Sequence, residues 1–319
     1  MALAQNGRIA EAHTLLEQAM AAGDALATAT LAEWRLTGQM IRRDLALARD
    51  LYGRAAQLGL DEAEPVHIAL LSNGAGGSGR HWRDALTLLS ARAPRDPWAR
   101  QQARLLGGMA LLETGDPAEQ PAREIVREVP RIGRFEAFLT DAECRYLVDL
   151  AQPRLQPSVV IHPHTGQAIR DPIRTAKAAA FPFVVEDPAL HAINRRIAAA
   201  TGTRYEQGEP LQVLRYDPGE EYKLHVDTLP SGENQRAMTF LVALNADYEG
   251  GETSFPHIDL HWRGAVGEAL QFDNVDEQGR PEPRLRHAGR PVARGVKYLL
   301  SKWIRAQPLD LSGPPGRPF

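Results

Sequence analysis

Between Ile9 and Arg92, small and large apolar residues recur at helical spacing, and the pattern repeats along the chain. IAEAHTLLEQAMAAG, beginning at Ile9, aligns with LALARDLYGRAAQLG, beginning at Leu45, at a constant offset of 36. Ile9 matches Leu45, Ala10 matches Ala46, Ala12 matches Ala48, Leu15 matches Leu51, Ala19 matches Ala55 and Gly23 matches Gly59. Gly38 and Gly74 keep the same offset, and a third copy opens at Trp82-Arg-Asp-Ala-Leu. Each copy carries its apolar stripe on one helix face and ends on glycine, the residue that turns a helix end most cheaply. Residues 1–118 are therefore expected to form all-α helical-hairpin repeats.

The character changes after residue 118. Residues 119–130 read as a linker, and residues 131–308 as a second domain. Thr140 followed by Glu143 is a capping box opening a helix through Leu150, and residues 187–201 (DPALHAINRRIAAAT) form a second amphipathic helix. From Leu211 the chain consists of short apolar runs broken by Gly, Pro and Asn: LQVLRY, YKLHVD, AMTFLVALN, ALQFDN and PVARGVKYLLSKWI. Such runs predict a β-sandwich or barrel. Residues 309–319 read as a flexible tail. Gly74, Gly76 and Gly79 fit the dinucleotide-binding spacing GxGxxG, but they join two predicted helices with no strand before them, so the match is read as a loop.

Composition narrows the chemistry. The chain has 319 residues, a single cysteine and ten histidines, with 37 basic and 40 acidic side chains giving a formal charge of −3. One cysteine excludes disulfide scaffolds, thiolate zinc sites and CxxC redox motifs, and fits a reducing, cytoplasmic setting. Any metal must then be held by His, Asp and Glu. The balanced charge argues against nucleic acid as a partner. No run approaches the ~20 apolar residues of a membrane span, and the N-terminus lacks a signal-peptide layout.

His225-Val-Asp227 is where those histidines become chemistry. On a strand, residues i and i+2 face one side, so an imidazole and a carboxylate point together. His287 lies 62 residues further on, just before Pro291-Val-Ala-Arg-Gly-Val-Lys297. Two His and one carboxylate occupy one face of an octahedral iron and leave three positions open. His257 and His261 are rival third donors. A bare HxD is common, and an isolated His is more often a packing residue, so the triplet alone decides little.

The surrounding text decides more. Leu211–Tyr216, Gly219-Glu-Glu-Tyr222-Lys-Leu-His225-Val-Asp227, Arg236-Ala-Met-Thr239, Leu244-Asn245, Gly250-Gly-Glu-Thr253-Ser-Phe255-Pro256, Ala269–Asn274, His287-Ala-Gly-Arg-Pro291-Val and Gly295-Val-Lys297 through Trp303-Ile follow one another in order. With Glu143-Cys144, Ile173-Arg174-Thr175 and Arg195-Arg-Ile upstream, residues 130–306 resemble the 2-oxoglutarate- and iron(II)-dependent dioxygenases of the prolyl 4-hydroxylase group. The N-terminal repeats resemble tetratricopeptide-type hairpins. The resemblance implies a double-stranded β-helix (jelly-roll) oxygenase core with flanking helices.

It further implies that His225, Asp227 and His287 hold Fe(II), and that Lys297 pairs with the far carboxylate of 2-oxoglutarate. Tyr216 would bond the same carboxylate, Thr253 would add a cosubstrate contact, and Trp303 and Arg236 would face the substrate. His257 and His261 are disfavoured because neither precedes the block that carries Lys297. Tyr298 stands where the group usually has Trp, on the opposite strand face. The expected cofactors are Fe(II), 2-oxoglutarate and O2, with ascorbate as an additional candidate. The implied reaction hydroxylates an aliphatic C–H, foremost a prolyl residue of a peptide or protein presented with help from the repeats, with decarboxylation of 2-oxoglutarate to succinate. The alternatives are a hydroxylase of a free amino acid or small metabolite, and a non-catalytic repeat-based interaction protein. The segments Ile161–Ile173 and Thr228–Gln235 are turn-rich candidates for a loop closing over the site.

Overall fold

In a computed structural model of the chain, the apolar periodicity of the first third becomes helices α1 (Ile9–Ala21), α2 (Ala25–Thr37), α3 (Leu45–Gln57), α4 (Ala63–Asn73), α5 (Trp82–Arg92) and α6 (Pro97–Gly108). The described residues are 6–77, 79–161, 168–170, 173–230 and 234–311. Most of the expected tail, the centres of both candidate closing loops, and His162 and His164 lie outside them. Asp24, Asp44 and Asp96 each cap a helix by accepting backbone N–H bonds. Gly38 and Gly74 terminate α2 and α4 in the left-handed conformation, at φ of 67° and 81°. Ala12, Ala48 and Ala85 are buried in α1, α3 and α5, on the face each helix turns to its neighbours.

Two features depart from a contiguous two-domain reading. The chain divides into one compact unit of residues 1–119, 182–195 and 310–319, and another of 120–181 and 196–309. Pro182–Arg195 joins the helical unit because Phe183 and Val184 pack on the α2–α4 core and the Asn73 amide donates to the Phe183 carbonyl at 2.9 Å. The stretch expected to be a linker also contains a strand, β1 (Glu124–Arg127), paired with β2 (Ile132–Phe135). Its Ile-Val pair favours extended backbone, and Arg134 of β2 pairs with Glu124 across the two strands at the sheet edge.

After β2 come α7 (Asp141–Ala151) and the strands β3 (Gln156–Pro157), β4 (Val159–Ile161), β5 (Ala168–Arg170) and β6 (Lys177–Phe181), then α8 (Pro188–Thr201). The capping box at Thr140 and Glu143 forms as expected, and Glu143 also receives two bonds from Arg196, at 2.7 and 3.0 Å. The remaining strands are β7 (Leu211–Tyr216), β8 (Tyr222–His225), β9 (Arg236–Ala243), β10 (Glu249–Gly250), β11 (Thr253–Phe255), β12 (Leu260–Trp262), β13 (Ala269–Asp273), β14 (His287–Gly289), β15 (Val292–Arg294) and β16 (Lys297–Arg305).

The larger sheet runs β1-β2-β13-β9-β16-β7-β6-β3, and a smaller one runs β12-β11-β14-β8. Taking the eight core strands β7, β8, β9, β11, β12, β13, β14 and β16 in chain order, the large sheet reads 6-3-8-1 and the small one 5-4-7-2. The chain winds back and forth between the two sheets, which is the double-stranded β-helix. Its apolar core joins Leu214, Leu241, Leu270, Phe272 and Leu299 of the large sheet to Phe255 and Trp262 of the small one. Strand β9 lies between β13 and β16 with its last five residues buried, the environment its apolar run requires.

Gly267 holds the approach to β13 against the approach to α7. Its N–H donates to the Ala243 carbonyl at 2.8 Å, and its carbonyl accepts from Leu139 at 3.0 Å. Its φ is +78°, and a Cβ would stand 1.9 Å from the Leu139 carbonyl oxygen. Gly267→Ala is expected to cost about 2 kcal/mol or more, from left-handed strain plus the clash. A lowered urea-unfolding midpoint measures this, and an unchanged midpoint contradicts it.

Candidate active site

Strand β8 inverts the usual pattern of a half-buried strand. Leu224 and Val226 are exposed, while His225 and Asp227 are buried. Burying a polar pair while exposing an apolar one is costly unless the pair has work to do inside. His225 ends β8, and Asp227 lies two residues on, in a bend rather than on the strand itself. The i, i+2 relation still turns both side chains inward. His287 opens β14 directly opposite His225, because the two residues are cross-strand partners.

The donors converge. His225 Nε2 lies 3.5 Å from Asp227 Oδ1, and His287 Nε2 lies 3.7 Å from Asp227 Oδ2. One ligand atom from each residue falls within 4.8 Å of the others, and all three residues are buried. Both imidazoles are oriented from behind: His225 Nδ1 donates to the Lys223 carbonyl at 2.8 Å and His287 Nδ1 to the Leu285 carbonyl at 2.9 Å. With the proton on Nδ1, each Nε2 presents a lone pair to the shared centre. Tyr222 stacks on His225 at 3.4 Å, and Phe255 and Phe272 flank His287.

Burial pushes the His287 imidazole down to about 4, against the pull of Asp227, so this ring is neutral at physiological pH. Burial alone would raise the Asp227 carboxyl, but the two imidazoles and the Thr239 hydroxyl outweigh it and hold it below the usual carboxylate range. Two imidazoles, that of His287 neutral, and an ionised carboxylate, all buried and aimed at one point, suit a divalent cation.

Beside the triad is a narrow cavity walled by Leu214, Leu241 and Leu299 among others. Lys297, Tyr216, Thr253 and Trp303 all line it, as do the three donors. Lys297 and Tyr216 are direct cross-strand partners on β16 and β7. The Lys297 Nζ donates to the Gly251 carbonyl at 2.7 Å and lies 5.3 Å from the centre of the Tyr216 ring. Burial lowers its ammonium to about 8, partly opposed by the field of Glu252. The Tyr216 phenol is pushed up, chiefly by burial. Gly250 and Gly251, at φ of 70° and 69°, make the turn that brings this carbonyl to the lysine. Among the described residues no carboxylate pairs with Lys297, so the cavity holds a buried cation that an anion would satisfy.

Arg236 is placed differently. It does not line the cavity. Its guanidinium lies 3.6 Å over Trp303 and is held by both oxygens of the buried Glu209, at 2.7 and 2.8 Å. The rival donors His257 and His261 are exposed and outside the cavity wall. Tyr298 faces away, toward Gln152.

The model of the 2OG-Fe(II) oxygenase superfamily matches residues 211–305, the stretch that carries every one of these side chains. Prolyl 4-hydroxylase 1 of Arabidopsis thaliana is 36% identical over 201 residues, covering 57% of this chain and 71% of that protein. The chain belongs to the prolyl 4-hydroxylase family of 2OG-Fe(II) oxygenases. The prolyl 4-hydroxylase alpha-1 subunit of Rattus norvegicus is 32% identical over 194 residues, covering 58% of this chain and 36% of that one. The crystal structure of a viral collagen prolyl hydroxylase from Paramecium bursaria Chlorella virus-1 in complex with 2OG aligns at a TM-score of 0.45 with 26% identity, over 55% of this chain and 96% of that chain. The oxygenase uses Fe(II), 2-oxoglutarate and O2.

Sequence reasoning missed several groups that shape this oxygenase site. Thr239 donates to Asp227 Oδ2 at 2.6 Å, Asn274 donates to Thr239 at 2.9 Å, and Tyr222 and Arg174 wall the cavity. One signal was available for Thr239: a single hydroxyl in the middle of the apolar run AMTFLVAL must find a partner once buried.

The Lys297 ammonium carries a testable sign. Its charged form, which would attract a dicarboxylate, predominates below about 8, and its neutral form, present above, would not. With manganese(II)-loaded protein, 2-oxoglutarate affinity is expected to be flat below that pH and to fall by about tenfold per unit above it. Lys297→Met should bind weakly at every pH. A titration with no inflection, or one shared by Lys297→Met, removes the lysine from cosubstrate binding.

Proposed function

We propose that this oxygenase hydroxylates prolyl residues in a peptide or protein, consuming 2-oxoglutarate and O2 and releasing succinate and CO2. The observation that carries the reading is the convergence of His225, Asp227 and His287 on the cavity that also buries Lys297. The prolyl substrate is supported by the named activity of relatives at 36% and 32% identity.

In this reading His225, Asp227 and His287 hold iron(II), which supplies positions for the keto acid and dioxygen and the oxidising power to turn C–H into C–OH. Lys297 meets the far carboxylate of 2-oxoglutarate, with Tyr216 and Thr253 completing its pocket. The leucine walls keep water from the reacting centre. Trp303, on the same strand face as Lys297, offers an aromatic surface to the substrate ring. Arg236, braced by Glu209, fixes that indole from behind.

Helices α1–α6 are read as tetratricopeptide-type hairpins that engage a segment of the substrate, as such arrays present a continuous surface to a partner. No helix among the described residues is long and apolar enough to cross a membrane.

The test is succinate release with mass spectrometry of proline-containing peptides. The expected outcome is iron(II)-dependent succinate together with peptides gaining one oxygen atom on proline, both falling to background in His225→Ala. Turnover of free proline but of no peptide contradicts the peptide substrate. Absence of both succinate and 2-oxoglutarate binding contradicts the enzyme.

A further inference from the structure

A metal held by two imidazoles and one carboxylate has three open positions only if the carboxylate binds through one oxygen. A keto acid takes two of these positions and dioxygen the third. Carboxylates also chelate through both oxygens, and nothing in the carboxylate itself prevents it. A chelating Asp227 would use a position the reaction needs, and a neighbour that engages one of its oxygens opposes chelation.

Thr239 is placed to do this. Its hydroxyl donates to Asp227 Oδ2 at 2.6 Å, a short bond to an ionised acceptor. A hydroxyl can rotate, but this one is locked. The Asn274 Nδ2 donates to Thr239 Oγ1 at 2.9 Å, so one lone pair is engaged and the single proton is directed at Asp227. Asn274 is fixed in turn: its backbone N–H donates to the Ala237 carbonyl at 2.7 Å, and its carbonyl accepts from Glu282 at 2.9 Å. Thr239 itself sits on the central strand β9, paired with Phe272 of β13 on one side and Trp303 of β16 on the other. Asp227, Thr239 and Asn274 are all buried, so water does not compete for these bonds.

We propose that Thr239, with its hydroxyl rotor set by Asn274, is a positioning residue that holds Asp227 to a single metal bond and thereby keeps the second cosubstrate position open. The inference rests on reading His225, Asp227 and His287 as the metal ligands. It predicts a separation that a purely structural threonine would not produce: metal affinity is kept while cosubstrate affinity is lost.

The experiment uses full-length protein loaded with cobalt(II) without oxygen, comparing the native chain with Thr239→Val, Thr239→Ser and Asn274→Ala. Cobalt(II) affinity, the ligand-field absorption that reports coordination number, and 2-oxoglutarate affinity are read on each. Thr239→Val is expected to bind cobalt(II) within about threefold of the native protein, with an altered spectrum before 2-oxoglutarate is added. Its 2-oxoglutarate affinity should fall by about tenfold or more, equivalent to about 1.4 kcal/mol. Thr239→Ser should restore the native spectrum and affinity. Asn274→Ala should fall between, and it decides the question if Thr239→Val does not fold. Native 2-oxoglutarate affinity in Thr239→Val overturns the proposal, as does loss of cobalt(II) and 2-oxoglutarate in parallel. A native protein that binds no cobalt(II) overturns the ligand assignment, and the proposal with it.

Discussion

Everything in the oxygenase domain follows from holding two imidazole lone pairs and a carboxylate face to face inside an apolar barrel. Left to themselves these groups would turn outward to water or bond to one another. They stay aimed at a common point because each is tied from behind. His225 and His287 bond backwards to the carbonyls of Lys223 and Leu285, and Asp227 is held by Thr239. The cross-strand register of β8 and β14 sets His225 against His287, so the small sheet itself defines the spacing.

The second costly group is treated alike. Lys297 is buried on the large sheet opposite Tyr216, with a turn carbonyl as its acceptor. An ammonium so placed favours loss of its proton, and an arriving dicarboxylate would reverse that preference. The two sheets thus contribute complementary halves, with donors for a cation on the small sheet and its following bend, and a cation for an anion on the large one. A cosubstrate that chelates the metal at one end and carries a carboxylate at the other would connect them. Trp303 lies two rungs beyond Ser301 on the same inner face, backed by Arg236 and Glu209, so this part of the cavity wall is braced by an ion pair rather than left free to rotate.

Much of this was legible in the chain. The apolar runs from Leu211 onward located β7, β9, β13 and β16 closely, because long buried strands carry continuous apolar text. The periodic stretches from Ile9, Leu45 and Trp82 became α1, α3 and α5 at their expected starts. The short strands β3, β10, β11, β12 and β14 were not legible as strands, since two or three residues carry no periodicity and are extended only because a neighbour offers hydrogen bonds. The same holds for β1, which a linker-like composition concealed until β2 was available to pair with it. Pro182–Arg195 reads locally as turn and helix, and its grouping with the helical unit depends on where Phe183 and Val184 find apolar surface.

The sequence by itself determined the chemistry: one cysteine forced any metal onto His and carboxylate, and the ordered motifs from Leu211 to Trp303, through their resemblance to a known family, carried the reaction type. Those are properties of residue identity along the chain. The tertiary structure alone decided what holds those residues in place: that Thr239 and Asn274 constrain Asp227, that Arg236 is committed to Glu209 beneath Trp303, and that His257 and His261 stay outside. The physical reason is distance in the chain. Asn274 lies 35 residues from Thr239, and Arg236 lies 27 from Glu209. Contacts between such positions exist only once strand register brings them within hydrogen-bond reach, and no local pattern encodes that register.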